Sequence, residues 1–419
     1  MAFRHMLAYG NSDQASFRNA EVQSSFDVMT VPGTIASYYS EATVAFVLSS
    51  QIKYLIDPRT PLFQEELAKP RASHFTLAEW HGSSVLARLN SEAPVSFPIE
   101  FWSQPVVGEM VSEAIARQRN YAESAPLVQP KLSRYARLLA EAMAEQGQPA
   151  PATEAMAPYL VLAPYFAVTG VGDSWWAVVQ SVWDACSLLP EPSAIVPVLC
   201  VDGRPKTAAD GVGTLAATLP LLPAALSNIC FFWITNFDER KVSETNLRRL
   251  WRVVEGRPEG RRLVNMYGGF FSICLRYAGL AGFGNGLTYS EFRDWPALAA
   301  TGAAPPRYYI RDLHSFLPPA LAAQLVDADA SFECPCGACS DWRSTGATIA
   351  SLPYHEMKRH FALARAWELA ETARLQPTQV AAQLRDASAR ASMVRGRIAL
   401  SGMPSTDHLA RWASVLENH

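Results

Sequence analysis

The chain has 419 residues, 49% of them apolar, and a formal net charge of −3. That balance excludes a strongly basic nucleic-acid coat but leaves room for a local basic patch. The length admits two or three domains, or one α/β barrel with additions. No run of roughly 18 or more apolar residues reads as a membrane span. The opening MAFRHMLAYGNSDQ lacks the apolar core and cleavage site of a signal peptide. Cys186, Cys200, Cys230 and Cys274 sit scattered in apolar runs, as buried thiols in a reducing compartment do, so a cytoplasmic protein is expected.

The first strand-like run is Phe26-Asp27-Val28-Met29-Thr30-Val31, stopped by Pro32-Gly33. A helical stretch around Ala42 to Leu48 leads to Ile52-Lys53-Tyr54-Leu55-Ile56, stopped by Asp57-Pro58-Arg59-Thr60. Strand, helix, strand begins a βαβ series. Residues from about 65 to 155 break the rhythm with Pro-marked turns and an amphipathic stretch from Lys131 to Gln146, and read as a helical insertion. From Pro158 the alternation is regular, with strand starts at Tyr159, Ala194, Ile229, Leu263, Leu280 and Tyr308. With Phe26 and Ile52 these make eight units, which favours a (β/α)8 TIM barrel over an open doubly wound sheet. No G-x-G-x-x-G opens the series. The expected layout is α/β: a barrel over residues 1–325 with the insertion at about 65–155, then a zinc-binding, helical C-terminal subdomain over 326–419.

In such a barrel the active site lies at the C-terminal ends of the strands. That rule selects Asp27, Asp57, Asp202, Asn236, Asp238, Asn265, Tyr267, Gly268, Gly269 and Asn285. Acids and amides around one mouth suit a polar substrate such as a purine, and chemistry at a glycosidic carbon uses paired carboxylates. An Asp after a strand also serves simply as a helix cap or Asx-turn. Pro58 pushes Asp57 into an extended conformation that can aim its carboxylate into the mouth. Tyr267-Gly268-Gly269 lets a flat ligand approach backbone amides, or makes a tight turn. Arg248, Arg249, Arg252, Arg257, Arg261 and Arg262 form one basic cluster, and Arg385, Arg390, Arg395 and Arg397 another. Each suits phosphate contact, or a solvated, salt-bridged helix face.

The segment Glu333-Cys334-Pro335-Cys336-Gly337-Ala338-Cys339 holds three of the seven cysteines in the pattern C-x-C-x-x-C, and His355 and His360 follow. Zinc takes four soft or borderline ligands in a tetrahedron, and clustered Cys with a later His supply them. The alternative is free thiols on a turn, which rarely cluster this tightly without a metal or a disulfide. Three thiols and one His leave no position for a catalytic water, so the expected Zn2+ is structural.

A barrel carrying C-x-C-x-x-C and a downstream His in its C-terminal part resembles the tRNA-guanine transglycosylases, which exchange guanine for a deazaguanine base in nucleic acid. Tyr54-Leu55-Ile56-Asp57-Pro58-Arg59-Thr60-Pro61-Leu62-Phe63-Gln64, Tyr267-Gly268-Gly269-Phe270-Phe271-Ser272 and Arg307-Tyr308-Tyr309-Ile310 are similar to the bacterial branch that inserts a deazaguanine into DNA. The resemblance covers residues from about 26 to 370. It implies zinc on Cys334, Cys336, Cys339 and His360, whose helix bears Arg365 and Glu368. His355, just past Pro353, is the alternative fourth ligand. It implies that Asp57 is the family's first essential Asp. Where the family has its nucleophilic Asp, this chain has Gly282-Phe283-Gly284-Asn285-Gly286, and an amide cannot form a glycosyl ester.

The resemblance therefore implies a base-exchanging transglycosylase acting on DNA, or less readily tRNA, with guanine or a deazaguanine as the base. Asp57 acts as acid/base or positions the substrate, and Asp202 or Asp238 stabilises or traps the oxocarbenium-like sugar. Asn236, Tyr267, Gly268, Gly269 and Asn285 line the base pocket. The target base must leave its stack to reach a barrel mouth. Two other readings stand beside it: a catalytically silent nucleic-acid-binding subunit that partners an active chain or a second copy, and an enzyme acting on a free nucleoside or sugar donor.

Overall fold

The computed structural model describes residues 3–419 apart from 11, 122–136, 139–140, 142–143, 145–156, 204–210, 288–290, 296–304 and 398–402. Ten short strands carry its sheet: Arg4–Ala8 (β1), Val28–Pro32 (β2), Tyr54–Asp57 (β3), Leu160–Leu162 (β4), Ala167–Val168 (β5), Ile195–Val196 (β6), Val198–Val201 (β7), Ile229–Ile234 (β8), Arg262–Asn265 (β9) and Gly282–Gly286 (β10). All pair in parallel, in the order β5-β7-β8-β9-β10-β1-β2-β3-β4-β6. Every residue of β3, β7 and β10 is buried, as expected of parallel strands with both faces covered. The fold is mixed α/β and the sheet curls into a half-barrel. Its two terminal strands, β5 and β6, are chain neighbours of β4 and β7.

Two interruptions have local causes. Pro197 separates β6 from β7 because it has no N–H to give the ladder, though its carbonyl still accepts from Phe231 N at 3.0 Å. Between β4 and β5 the chain leaves the ladder, and side-chain amides replace strand partners. Gln118 donates to Leu162 O at 2.8 Å and accepts from Leu162 N at 3.0 Å. Gln64 treats Ala167 the same way, at 3.0 and 2.6 Å. The backbone polar groups are satisfied while residues 163–166 are free to turn a side chain inward.

Seven of the expected strands lie in this sheet, and the eighth does not. Tyr308–Ile310 (β11) pairs only with Ser315–Leu317 (β12), as an antiparallel hairpin. Its place is taken by β1, which sits between β10 and β2. The run Arg-His-Met-Leu-Ala has no β-branched residue and gives little strand signal.

Between β3 and β4 stand the helices Ala72–Glu79, Ser83–Leu89 and Gln104–Arg119. The Lys131 to Gln146 helix lies largely outside the described residues. Elsewhere the helices follow their sequence signals. Ser243 caps Glu244–Glu255 by accepting from Asn246 N, and Leu247, Leu250, Trp251 and Val254 form its buried stripe. Past the hairpin the chain is helical: Pro319–Ala328, Gly337–Ser344, Tyr354–Thr372, Pro377–Arg397 and Asp407–Leu416. These helices dock on the sheet unit through Trp412 Nε1, which donates to Glu239 O at 3.0 Å, and Tyr277 Oη, which donates to Thr372 O at 2.7 Å. Among the described residues no helix is long and apolar enough to cross a membrane.

Candidate metal centre and strand-end cavity

Cys334 and Cys336 precede the helix Gly337–Ser344, and Cys339 lies in its first turn, so a single bend turns three sulfurs toward one point. His360 comes from the middle of Tyr354–Thr372. The four ligand atoms lie within 4.8 Å of one another and can hold a metal ion. His360 Nδ1 is 3.3 Å from Cys336 Sγ and 3.3 Å from Cys339 Sγ. Its other nitrogen, Nε2, donates to Tyr309 O at 2.7 Å, so whenever the ring is neutral its Nδ1 lone pair faces the sulfurs. The Tyr308 ring stacks on the imidazole at 4.2 Å, and its hydroxyl lies 3.1 Å from Cys339 Sγ. Burial opposes protonation of His360, yet the sulfurs of Cys334 and Cys336 outweigh it and push its pKa up to about 10. A cation among the sulfurs satisfies the same field. His355 is not a ligand: its side chain is 66% exposed and faces Glu356.

Asp57 ends β3 and is fully buried. Its Oδ1 accepts from Tyr165 Oη at 2.6 Å and from Arg59 N at 3.1 Å, and its Oδ2 meets Arg59 Nε at 3.3 Å. Tyr165 comes from the interruption between β4 and β5, so the two glutamines that mend the backbone there also free the phenol to reach Asp57. Burial, then the Asp57 charge, push the Tyr165 pKa well above its ordinary value, which keeps the phenol a donor. Asp57 lines a cavity at the strand ends with Thr30, Arg59, Tyr267 and Asn285, over apolar Met6, Phe231 and Met266. As it stands the cavity is small, with a volume of about 10 Å³, room for roughly one water molecule, and it opens to solvent.

Asn285 is fixed by His5. Burial lowers the His5 pKa to about 4, so the ring is neutral. His5 Nδ1 is 3.1 Å from Ser25 O, an acceptor only, and must carry the proton. Nε2, 3.0 Å from Asn285 Oδ1, is then an acceptor facing an acceptor, and turning the amide over, so that Nδ2 no longer goes unpartnered but donates to Nε2, resolves the clash. The amide atom left without a partner is then the carbonyl oxygen, a group that reads an N–H on a ligand.

The other expected residues stand apart from this cavity. The Asp202 carboxylate accepts from Thr235 Oγ1 at 3.2 Å and Trp295 Nε1 at 3.4 Å. Asp238 is ion-paired to Arg240 at 3.2 Å and Lys241 at 3.3 Å, and lines a different hollow with His408 and Arg411 of the C-terminal region. Asn236 is an exposed residue in a left-handed turn, at φ 56°. Gly268 and Gly269 do not offer their amides to a ligand. Gly268 N donates to Gly284 O at 2.8 Å, and Gly269 N donates to the Glu239 carboxylate at 2.9 Å. Their reading as a ligand platform is corrected to a tight turn whose N–H groups are spent internally.

The arginine clusters are largely structural too. Arg248 pairs with Glu244, Arg261 donates to Ser227 O, Leu222 O and Pro223 O, and Arg257 donates to Val254 O and Ala278 O. Arg385 pairs with Glu417, and Arg390 with Asp312 and Asp386. Residues that the sequence reasoning missed are Arg59, Tyr165, His5 and the buried acid Glu239; only Arg59, inside the Asp-Pro-Arg turn, carried a local signal. No family model matches the chain, and no curated protein matches it.

Proposed function

We propose that the chain is a base-exchanging transglycosylase whose strand-end cavity, widened from its one-water volume, takes a purine-type base from nucleic acid, DNA ahead of tRNA, with Asp57 as its catalytic carboxylate. The observation that carries this reading is the convergence of Asp57, Arg59, Tyr267 and Asn285 on one cavity at the C-terminal ends of parallel strands. The pairing of β10 with β1, and the chain continuity from β4 to β5 and from β6 through Pro197 to β7, support a closed (β/α)8 barrel of eight segments. The metal is zinc: thiolate sulfurs and an imidazole suit it, and with four protein ligands it is structural.

In this reading Asp57 takes the role for which Asp202 or Asp238 was expected, because it is the one carboxylate among the described residues that lines the cavity. Its oxygen bonds to the sugar C1′ as the C–N bond to the departing base breaks, and the departing base takes a proton from water, which later recovers one from the incoming base. The ring nitrogen of the incoming base then bonds to C1′, loses its proton and releases the carboxylate. Tyr165 and Arg59 hold Asp57 in place, and the Asn285 carbonyl reads an N–H edge of the base.

The presence of Asn285 on β10, where the resembled family carries its nucleophile, favours a second reading: a silent nucleic-acid-binding subunit. Incubation with labelled guanine or deazaguanine, DNA and tRNA separates the two. Exchange into DNA that falls by at least about 1,000-fold in Asp57→Asn, with metal content unchanged, supports the enzyme. Binding of DNA without exchange from any donor supports the silent subunit.

A further inference from the structure

Arg59 carries a buried guanidinium whose hydrogen bonds are only partly made among the described residues. Its side chain is 5% exposed, and its one charged contact is Nε to Asp57 Oδ2 at 3.3 Å. The Asp57 oxygens are shared with the Tyr165 hydroxyl and the Arg59 backbone N–H. The two terminal nitrogens of the guanidinium meet no acceptor among the described residues, and the side chain lines the strand-end cavity. A guanidinium cannot shed its proton when buried, so donors aimed into a cavity call for an acceptor from elsewhere. The backbone holds Arg59 at φ 55°, a conformation that side-chain-bearing residues rarely adopt.

Arg293 stands close by. Trp233 Nε1 donates to Arg293 O at 2.9 Å, and the Trp233 ring packs on Tyr267 at 4.9 Å, which anchors Arg293 over the same end of the sheet. Its side chain makes no hydrogen bond or ion pair among the described residues. The Arg59 charge, then burial, lower its pKa, and the opposing pull of Asp57 does not offset them, so the two guanidiniums lie near enough to repel.

We propose that Arg59 and Arg293 form an anion subsite of the strand-end cavity, so that its ligand brings a carboxylate or phosphate group alongside Asp57. Arginine forks match both anions with paired, charge-assisted hydrogen bonds. The anion has two sources: the phosphate of the nucleotide, or a carboxylate on the base. Only the choice of probes rests on the base-exchange reading.

Titration calorimetry at fixed ionic strength compares deoxyguanosine with deoxyguanosine 5′-monophosphate, and 7-cyano-7-deazaguanine with 7-carboxy-7-deazaguanine. In one pair the anionic member binds about tenfold tighter or more, and the pair that shows it identifies the source. Arg59→Gln and Arg293→Gln each bring that preference to within about twofold. Should Arg59→Gln not fold, the half-buried Arg293→Gln carries the test. Lack of preference in both pairs, including no binding of any probe, overturns the subsite, as does a preference that survives in a folded, metal-loaded Arg293→Gln protein. Anion preference without base exchange removes the transglycosylase reading alone; base exchange without anion preference removes the subsite alone.

Discussion

At Asp57 the chain concentrates what a reacting carboxylate needs: burial, a phenol donor, a backbone donor and an open side toward a cavity. Tyr165→Phe removes the 2.6 Å bond while keeping the ring's packing. It is expected to lower kcat by about 10- to 100-fold with little change in KM, a split that steady-state kinetics reads. At the metal centre, Cys339→Ser removes one of four ligands. The expected results are loss of bound zinc, from about one per chain to near zero by elemental analysis, and a melting temperature lower by several degrees. His355→Ala is expected to change neither, since His355 faces solvent. The three cysteines were legible because local spacing alone brings them together. The preference for His360 over His355 comes from the resemblance of its helix and not from spacing, and the structure bears it out. Which histidine binds depends on which face of Tyr354–Thr372 meets β11, and β11 had been assigned to the sheet.

At the scale of elements, what could be read was the rhythm of apolar runs, and what could not was how each run is completed. Gln64 and Gln118 look like ordinary polar residues in the sequence, yet they stand in for strand partners at Ala167 and Leu162. Gln118→Leu keeps the volume and strands a buried N–H and C=O, which is expected to cost about 2 kcal/mol in urea unfolding. The turn after β9 has its own acid. Glu239 accepts from Gly269 N and Ser272 N at the start of Phe270–Cys274. Burial raises its pKa from 4.5 to about 7, against the opposing pull of those hydrogen bonds. The folded state therefore holds this proton more tightly than the unfolded chain. The stabilisation is fully present below pH 4.5 and is lost as pH rises through about 7. The change is on the order of 3 kcal/mol. Glu239→Gln is expected to remove that slope between pH 4.5 and 7, as measured by denaturant unfolding at several pH values.

Across the whole molecule, the C-terminal region is fastened to the sheet unit by buried charge. Arg365 is fully buried between Glu291, from the segment after β10, and Glu368 on its own helix; Glu368 in turn holds His314 at 2.7 Å. Arg365→Met leaves Glu291 with Arg240 at 3.6 Å and Glu368 with His314 as charged partner, and is expected to cost about 3 kcal/mol, with the metal-bearing helices loosening first in hydrogen exchange. Acid works on a different set. Burial lowers the pKa of His5, His81 and His408 from 6.5 to about 4. Their neutral forms contribute stability that is present above pH 6.5 and lost as pH falls through about 4. Each accounts for roughly 3 kcal/mol, which together outweigh the opposite trend of Glu239.

Asp57 is the residue proposed to meet the sugar. An oligonucleotide labelled at its sugar, quenched during turnover with the incoming base withheld, gives the direct measurement by peptide mass spectrometry. The expected result is a covalent adduct on the peptide that contains Asp57, absent in Asp57→Asn. An adduct on the peptide containing Asp202 or Asp238 would contradict it, as would robust base exchange by Asp57→Asn.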